Sequence, residues 1–148
     1  MKNVIRVLWI VKNFFFFLKS LSRYNHFNWD NSACRSINST IDSTSMVHGS
    51  YMLNNVSIGY ASYISTNALM ANTNVGRFCS IGPNVVSGMG IHPINGISTH
   101  PAFYSKKKKS KITLSSVDLI KEHLPVTIGN DVFIGANVTI LDGISIGD

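Results

Sequence analysis

The sequence predicts an all-β domain wound as a narrow prism of short strands, with a long loop projecting from it and a helical segment ahead of it. Three observations carry this: apolar residues recurring every six positions, glycine beside many of them, and mostly small or β-branched fillers at the other inward positions. Ile41, Val47 and Leu53 stand six apart. After a five-residue step come Ile58, Ile64 and Met70, and after another come Val75 and Ile81. Beyond a long interruption, Ile128, Ile134, Ile140 and Ile146 resume the count. Gly59, Gly76, Gly82, Gly129, Gly135 and Gly147 each follow such an anchor.

Six is the wrong period for an α-helix, in which six steps turn the chain through about 600° and scatter the anchors around the surface. A short strand with a bend every six residues turns every anchor inward. It also offers a second inward position four residues later, on the same side of the pleat. That rule selects Ser45, Tyr51, Ser57, Ser62, Ala68, Asn74, Cys79, Val85, Val132, Val138 and Ile144. All but Tyr51 are small, β-branched or short and polar, which suits a narrow interior. The glycines are expected to supply backbone conformations that a Cβ would exclude. A sandwich imitates two such hexads by chance, but not the whole series.

The length of 148 residues suffices for one domain with a real core. Hydrophobic residues make up 45% and charged residues 14%, which argues against disorder. The net charge of +6 is concentrated in Lys106 to Lys109 and in Lys2, Arg6, Lys12, Lys19 and Arg23. Without aromatic residues interleaved among basic ones, this is no nucleic-acid-binding face. Cys34 and Cys79 form no C-x-x-C and indicate neither a zinc site nor a disulfide framework, so reduced, intracellular thiols are expected.

Residues 1–38 read as a hydrophobic and basic helical segment followed by a connection. The uncharged runs Val7 to Val11 and Asn13 to Leu18 fall well short of the ~18 apolar residues of a spanning helix. No small-residue cleavage site follows, as a signal peptide requires. Two readings stand: a helix lying in a membrane interface through residues 1–20, or one packed on its own domain or a neighbouring subunit.

The rhythm stops after Ser87 and returns at Ile128, and an excursion over 88–125 is too long for an ordinary connection. Ser115 and Asp118 have capping-box spacing, Val117, Ile120 and Leu124 share a helical face, and Pro125 ends the run, so a short helix is expected there.

The stretches "VTIGNDVFIGANVTILDGISIGD" and "NVGRFCSIGPNVVSG" resemble the hexapeptide-repeat acyltransferases. The resemblance covers about residues 41–148. It implies a left-handed parallel β-helix, three hexads to a triangular coil, and a homotrimer. The domain is placed at 39–148, with 88–125 as its active-site loop. Within that loop, "GIHPINGISTHPAFY" resembles the subgroup of xenobiotic acetyltransferases and polysaccharide O-acetyltransferases, with matches at His92, Ser98, Thr99, Pro101 and Phe103. The resemblance implies acetyl-CoA as co-substrate and His92 as the general base that takes the acceptor hydroxyl's proton. A histidine titrating near 6.5 suits that task. The blander reading of His92 is a loop histidine bonded to a carbonyl.

His100 occupies a position where the subgroup usually has another residue, so a loop role leads over substrate orientation or a second base. Ser98 and Thr99 read first as turn hydrogen-bonders. Phe103 and Tyr104 either wall the acceptor site or pack the loop. The resemblance places the thioester along Phe133, Gly135 and Ala136, between coils of neighbouring subunits. Cys79 falls at an inward position and is a poor nucleophile candidate. Lys106 to Lys109 read as a solvated run, with attraction of an anionic substrate as the alternative. The chain ends at "ISIGD" where the family usually continues, so it is expected to be truncated.

The activity expected is O-acetylation of a sugar hydroxyl in a bacterial surface polysaccharide, in the cytoplasm and peripherally at the inner membrane face. A drug-modifying acetyltransferase with a small hydroxyl acceptor shares all the chemistry and is the alternative, and an inactive fragment or scaffold is a third reading. A zinc hydro-lyase on His48, His92 and His100 is disfavoured by their spacing, and no metal is expected.

Overall fold

The structure, a computed structural model, describes residues 34–148 together with 7, 9–15 and 18. The chain is a left-handed parallel β-helix built from Arg35–Ile37 (β1), Thr40–Ile41 (β2), Met46–Val47 (β3), Tyr51–Ile58 (β4), Tyr63–Ile64 (β5), Ala68–Val75 (β6), Ser80–Ile81 (β7), Val86–Ser87 (β8), Val126–Ile128 (β9), Phe133–Ile134 (β10), Thr139–Ile140 (β11) and Ser145–Ile146 (β12). Every named strand pair is parallel. The register sets Tyr51 beside Ala68 and Tyr63 beside Ser80, and coils repeat after 17 residues before the excursion. Strand pairing starts at Arg35, ahead of the boundary expected at residue 39.

Three faces result. The first stacks β3, β5, β7 and β10. The second stacks β1, the first half of β4, the first half of β6, β8 and β11. The third stacks β2, the second halves of β4 and β6, β9 and β12. Every hexad anchor lies in the resulting core, with Ile41 and Ile146 partly buried at its two ends. Cys34 and Cys79 are free and buried.

Two expectations about the interior are corrected. Ser57 and Asn74 point outward, and Val56 and Thr73 take the inward places, buried to 2% and 0% exposure. Inwardness counts back two residues along the same strand from the following anchor. Counting forward crosses a corner, and at Leu53–Ile58 and Met70–Val75 that corner is one residue short. The second correction concerns glycine. None of the six anchor-following glycines has positive φ; Asn55, Asn67, Asn72, Phe78, Asn84, Asp131 and Asn137 do instead. Four of them, Gly59, Gly76, Gly82 and Gly129, are needed because the neighbouring coil stacks closely beside them, whereas nothing lies within 4 Å of a Cβ built on Gly135 or Gly147. A Cβ on Gly59 would come within 2.7 Å of the Gly76 carbonyl oxygen, and one on Gly82 within 2.9 Å of the Ala136 nitrogen.

Asparagine tolerates the left-handed region because its short amide bonds locally, and here the amides also bond from coil to coil. Asn55 donates to Asn72 at 2.9 Å, Asn67 to Asn84 at 3.1 Å, and Asn84 to Asn137 at 3.0 Å. Inside, Ser62 Oγ donates to the Gly76 carbonyl at 2.8 Å and accepts from the Cys79 amide at 2.9 Å. Ser87, where the rhythm stops, is fully buried and lies 2.8 Å from Thr73 Oγ1.

Residues 7, 9–15 and 18 are helical, with Trp9, Phe14 and Phe15 exposed. The basic residues Lys2, Arg6, Lys19 and Arg23 and the connection over 24–33 lie outside the described residues. Among the described residues no helix is long and apolar enough to cross a membrane.

Candidate active site

The excursion leaves the prism at the corner between the second and third faces, where other coils turn in one or two residues such as Asn55 and Asn72. Its neck is clasped from the last coil. Asp142, whose side chain is only 1% exposed, accepts from the Gly90 amide at 2.7 Å and from the Leu124 amide at 3.1 Å. The Ile91 amide donates to the Glu122 carbonyl at 2.8 Å. The outgoing and returning strands are therefore pinned together two residues before His92.

No helix forms over 115–124. Asp118 is engaged elsewhere: its carboxylate accepts from Ser105 Oγ at 2.7 Å and the Lys106 amide at 3.0 Å, and the Ser105 bond leads in holding its pKa below the usual carboxylate value. Val117 is exposed while Ile120 and Leu124 are half-buried, so the three do not form one buried helical face. The segment instead braces residues 102–105 through Thr113 Oγ1 to the Ser105 carbonyl (2.7 Å), the Leu114 amide to the Ala102 carbonyl (2.8 Å) and the Leu119 amide to the Tyr104 carbonyl (2.8 Å). The one helical turn there is a 3-10 turn, Pro101–Phe103.

His92 is exposed, but its Nδ1 is held from two sides, 2.8 Å from the Thr99 carbonyl oxygen and 2.8 Å from Tyr104 Oη. A carbonyl oxygen can only accept, so Nδ1 carries the ring proton and Nε2 keeps its lone pair. Nε2 has no partner among the described residues. The Thr99 carbonyl bond is the one the blander reading of a loop histidine expects, and the same bond leaves Nε2 without the ring proton.

His100 is arranged the opposite way. Its Nδ1 accepts from the Ala102 amide at 3.2 Å, capping the 3-10 turn, and its own amide donates to Ser98 Oγ at 3.0 Å. A ring nitrogen that accepts from a backbone amide puts the proton on Nε2, so His100 is a loop-capping residue. Ser98 and Thr99 both serve within the loop, Ser98 through its hydroxyl and Thr99 through its carbonyl. Phe103 is 47% exposed at the surface of the turn, whereas Tyr104 is buried with its hydroxyl at His92.

One charged residue of the same loop, Glu122, is not among the expected site residues. Glu122, the chain's one glutamate, has a side chain 3% exposed and pairs with Lys107 at 2.9 Å and Lys109 at 2.8 Å. Those hydrogen bonds lead in lowering its pKa to about 2. Half of the lysine run is thus tied down and not simply solvated. The Tyr104 pKa is raised, first by burial and then by the Glu122 charge. The signal that points to this pairing is a single glutamate following a lysine run with no other acid nearby except Asp118.

Phe133, Gly135 and Ala136 are not brought to His92 by any bond within the chain. Phe133 is 77% exposed on the first face, and Gly135 and Ala136 turn the corner toward the second. Among the described residues, no group of three or more His, Cys, Asp or Glu side chains could hold a metal ion.

Residues 125–148 match the family model described as the hexapeptide repeat of succinyl-transferase. The chain is similar to a chloramphenicol acetyltransferase of Morganella morganii, 35% identical over 77 residues, covering 50% of this chain and 36% of that protein. A probable macrolide acetyltransferase of Lysinibacillus sphaericus is 36% identical over 76 residues, covering 50% and 42%. The matches thus span less than half the length of these curated relatives. A crystal structure of a hexapeptide-repeat-containing acetyltransferase from Vibrio cholerae aligns with TM-score 0.42 and 20% identity, over 76% of this chain and 55% of that one.

Proposed function

The chain resembles the hexapeptide-repeat acetyltransferases, and on that premise we propose that it carries the base-bearing part of an acetyl-CoA-dependent O-acetyltransferase acting on a small hydroxylated xenobiotic. The observation that carries the reading is His92: its Nδ1 is committed to Thr99 and Tyr104, and its Nε2 is free at the surface of a braced loop. Nε2 takes the proton of the acceptor hydroxyl as the oxygen attacks the thioester carbonyl. The C–S bond breaks, and the leaving thiolate of coenzyme A takes the proton back from the imidazolium. Phe133, Gly135 and Ala136 serve the thioester from a neighbouring subunit, and Phe103 borders the acceptor.

The relatives favour the drug-modifying reading over polysaccharide O-acetylation, because the named ones are chloramphenicol and macrolide acetyltransferases. The exposed apolar side chains Ile94, Ile97 and Phe103 of the same loop suit a compact, partly apolar acceptor better than a glycan. Assembly as a homotrimer is supported by the outward residues of the first face, where Met46, Tyr63 and Phe133 are exposed, while the third face presents Thr40, Asn74, Thr127 and Ser145. Placement at the inner membrane face rests on the exposed aromatic residues of the N-terminal helix.

The test is coenzyme A release from acetyl-CoA with chloramphenicol, a macrolide or a bacterial polysaccharide as acceptor, on chains of verified oligomeric mass. Acceptor-dependent release with either drug, lost in His92→Ala, supports the reading. Release with the polysaccharide alone returns the acceptor to glycan, and release by no acceptor from an assembled chain overturns the transferase reading.

A further inference from the structure

Asn95 is the chain's one asparagine followed by glycine. It stands on the backbone bend over 94–97, flanked by Ile94 and Ile97, whose side chains are 94% and 100% exposed. Neither its side-chain amide nor the Gly96 N–H has a hydrogen-bond partner among the described residues. A Cβ built on Gly96 would meet nothing nearer than the Ser98 carbonyl oxygen at 3.9 Å. The Gly96 nitrogen is therefore unshielded beside a carboxamide that nothing holds away from it. The asparagines of the prism differ in both respects. Asn55, Asn67 and Asn84 donate their amides to the next coil and are followed by Val56, Ala68 and Val85. Asp142 also precedes a glycine, but its carboxylate is buried and bonded to the Gly90 and Leu124 amides.

We propose that Asn95 is a site of spontaneous deamidation, and that the modification uncouples His92 from Thr99. The Gly96 nitrogen gives its proton to solvent base and attacks the Asn95 Cγ. The new N–Cγ bond closes a five-membered succinimide, the Cγ–Nδ2 bond breaks, and the nitrogen leaves as ammonia after taking up a proton. Water then opens the ring at either carbonyl. One opening gives aspartate; the other gives isoaspartate, in which the main chain runs through Cβ and gains a methylene. Water enters, ammonia leaves, nothing is oxidised or reduced, and a negative charge is added. The methylene falls between His92 and Thr99, the residues joined by the 2.8 Å bond from Nδ1 to the carbonyl. That carbonyl can only accept, so it fixes the ring proton, whereas Tyr104 Oη both donates and accepts and cannot fix it alone. Isoaspartate thus releases the His92 tautomer and leaves the prism intact. Only the effect on rate rests on the reading of His92 as base.

The test is incubation of the full chain at mildly alkaline pH, followed by peptide mapping for the amide-to-acid mass change and for isoaspartate, and by 15N spectra of His92. Gly96→Ala and fresh Asn95→Asp serve as comparisons; the first has room for its methyl group, and the second adds the charge without the methylene. Conversion is expected to concentrate at Asn95, to quicken with rising pH, and to slow roughly tenfold or more in Gly96→Ala, where a Cβ hinders ring closure. A His92 population with the proton on Nε2 grows with the isoaspartate fraction, while fresh Asn95→Asp keeps the proton on Nδ1. Conversion no faster than at the prism asparagines, or undiminished in Gly96→Ala, overturns the site. An isoaspartate chain with His92 wholly on Nδ1, or the same tautomer shift in fresh Asn95→Asp, overturns the uncoupling. A chain with no transferase activity but the expected masses and tautomers overturns the catalytic reading and leaves this one standing.

Discussion

At the scale of single residues, two histidines eight positions apart in one loop have opposite proton arrangements. His92 has a carbonyl at Nδ1 and a bare Nε2; His100 has a backbone amide donating to Nδ1 and therefore its proton on Nε2. Their sequence settings, His-Pro in both cases, are the same. His92→Ala is expected to lower the rate of acceptor-dependent coenzyme A release by about two to four powers of ten, the usual yield of a positioned base. His100→Ala removes a cap to a short turn and is expected to lower it by no more than about threefold. A comparison of the two variants at saturating acetyl-CoA checks both. Spacing alone does not distinguish the two histidines; what distinguishes them is a hydrogen-bond partner that no spacing reveals.

At the scale of elements, the coils are held by contacts from one turn to the next and the loop by charge. Gly76 lies against the Gly129 carbonyl of the following coil, whereas nothing lies within 4 Å of a Cβ built on Gly147. Gly76→Ala is accordingly expected to destabilise by about 1–3 kcal/mol, the usual cost of overpacking, and Gly147→Ala to leave the thermal midpoint nearly unchanged; thermal unfolding of the two variants reads the difference. For the loop, the folded pKa of Glu122 lies at about 2 against an ordinary 4.5. A depressed carboxylate stabilises the folded form above the ordinary value and loses that contribution as pH falls through the folded one. Hydrogen exchange in residues 104–109 is expected to quicken as pH is lowered from about 4.5 toward 2, relative to the intrinsic rate, while the prism core stays protected. In Glu122→Gln this acid-dependent step should vanish.

At the scale of the whole molecule, the excursion is an appendage of one corner that the last coil clasps. Asp142 stands on the coil below and accepts from Gly90 and Leu124, at the two ends of the loop. Asp142→Ala leaves two backbone donors without a partner, at about 1–3 kcal/mol each if they stay dry. Faster amide exchange at Gly90 and Leu124, together with reduced transferase rate, is the expected outcome. Asp142→Asn keeps one accepting oxygen and should fall between. The outward residues of the first face include Met46, Tyr63 and Phe133, and those of the third are polar.

The prism was legible because its repeat is local and one-dimensional. Each hexad must turn an anchor inward at a fixed interval, so Leu53, Ile64, Met70 and Ile81 announce themselves by counting alone. The same counting failed where the interval shortened, at Val56 and Thr73, and it misread the glycines, because a stacked carbonyl one coil away is invisible along the chain. Tertiary structure alone decided the loop. Ser115 and Asp118 had the spacing of a helix cap, but Asp118 found Ser105; the lysine run looked solvated, but Lys107 and Lys109 found Glu122. Periodicity specifies a coil because every repeat meets the same neighbour. A loop has no repeat, so its partners are set by where the backbone brings charges and carbonyls together, and the proton on His92 is set with them.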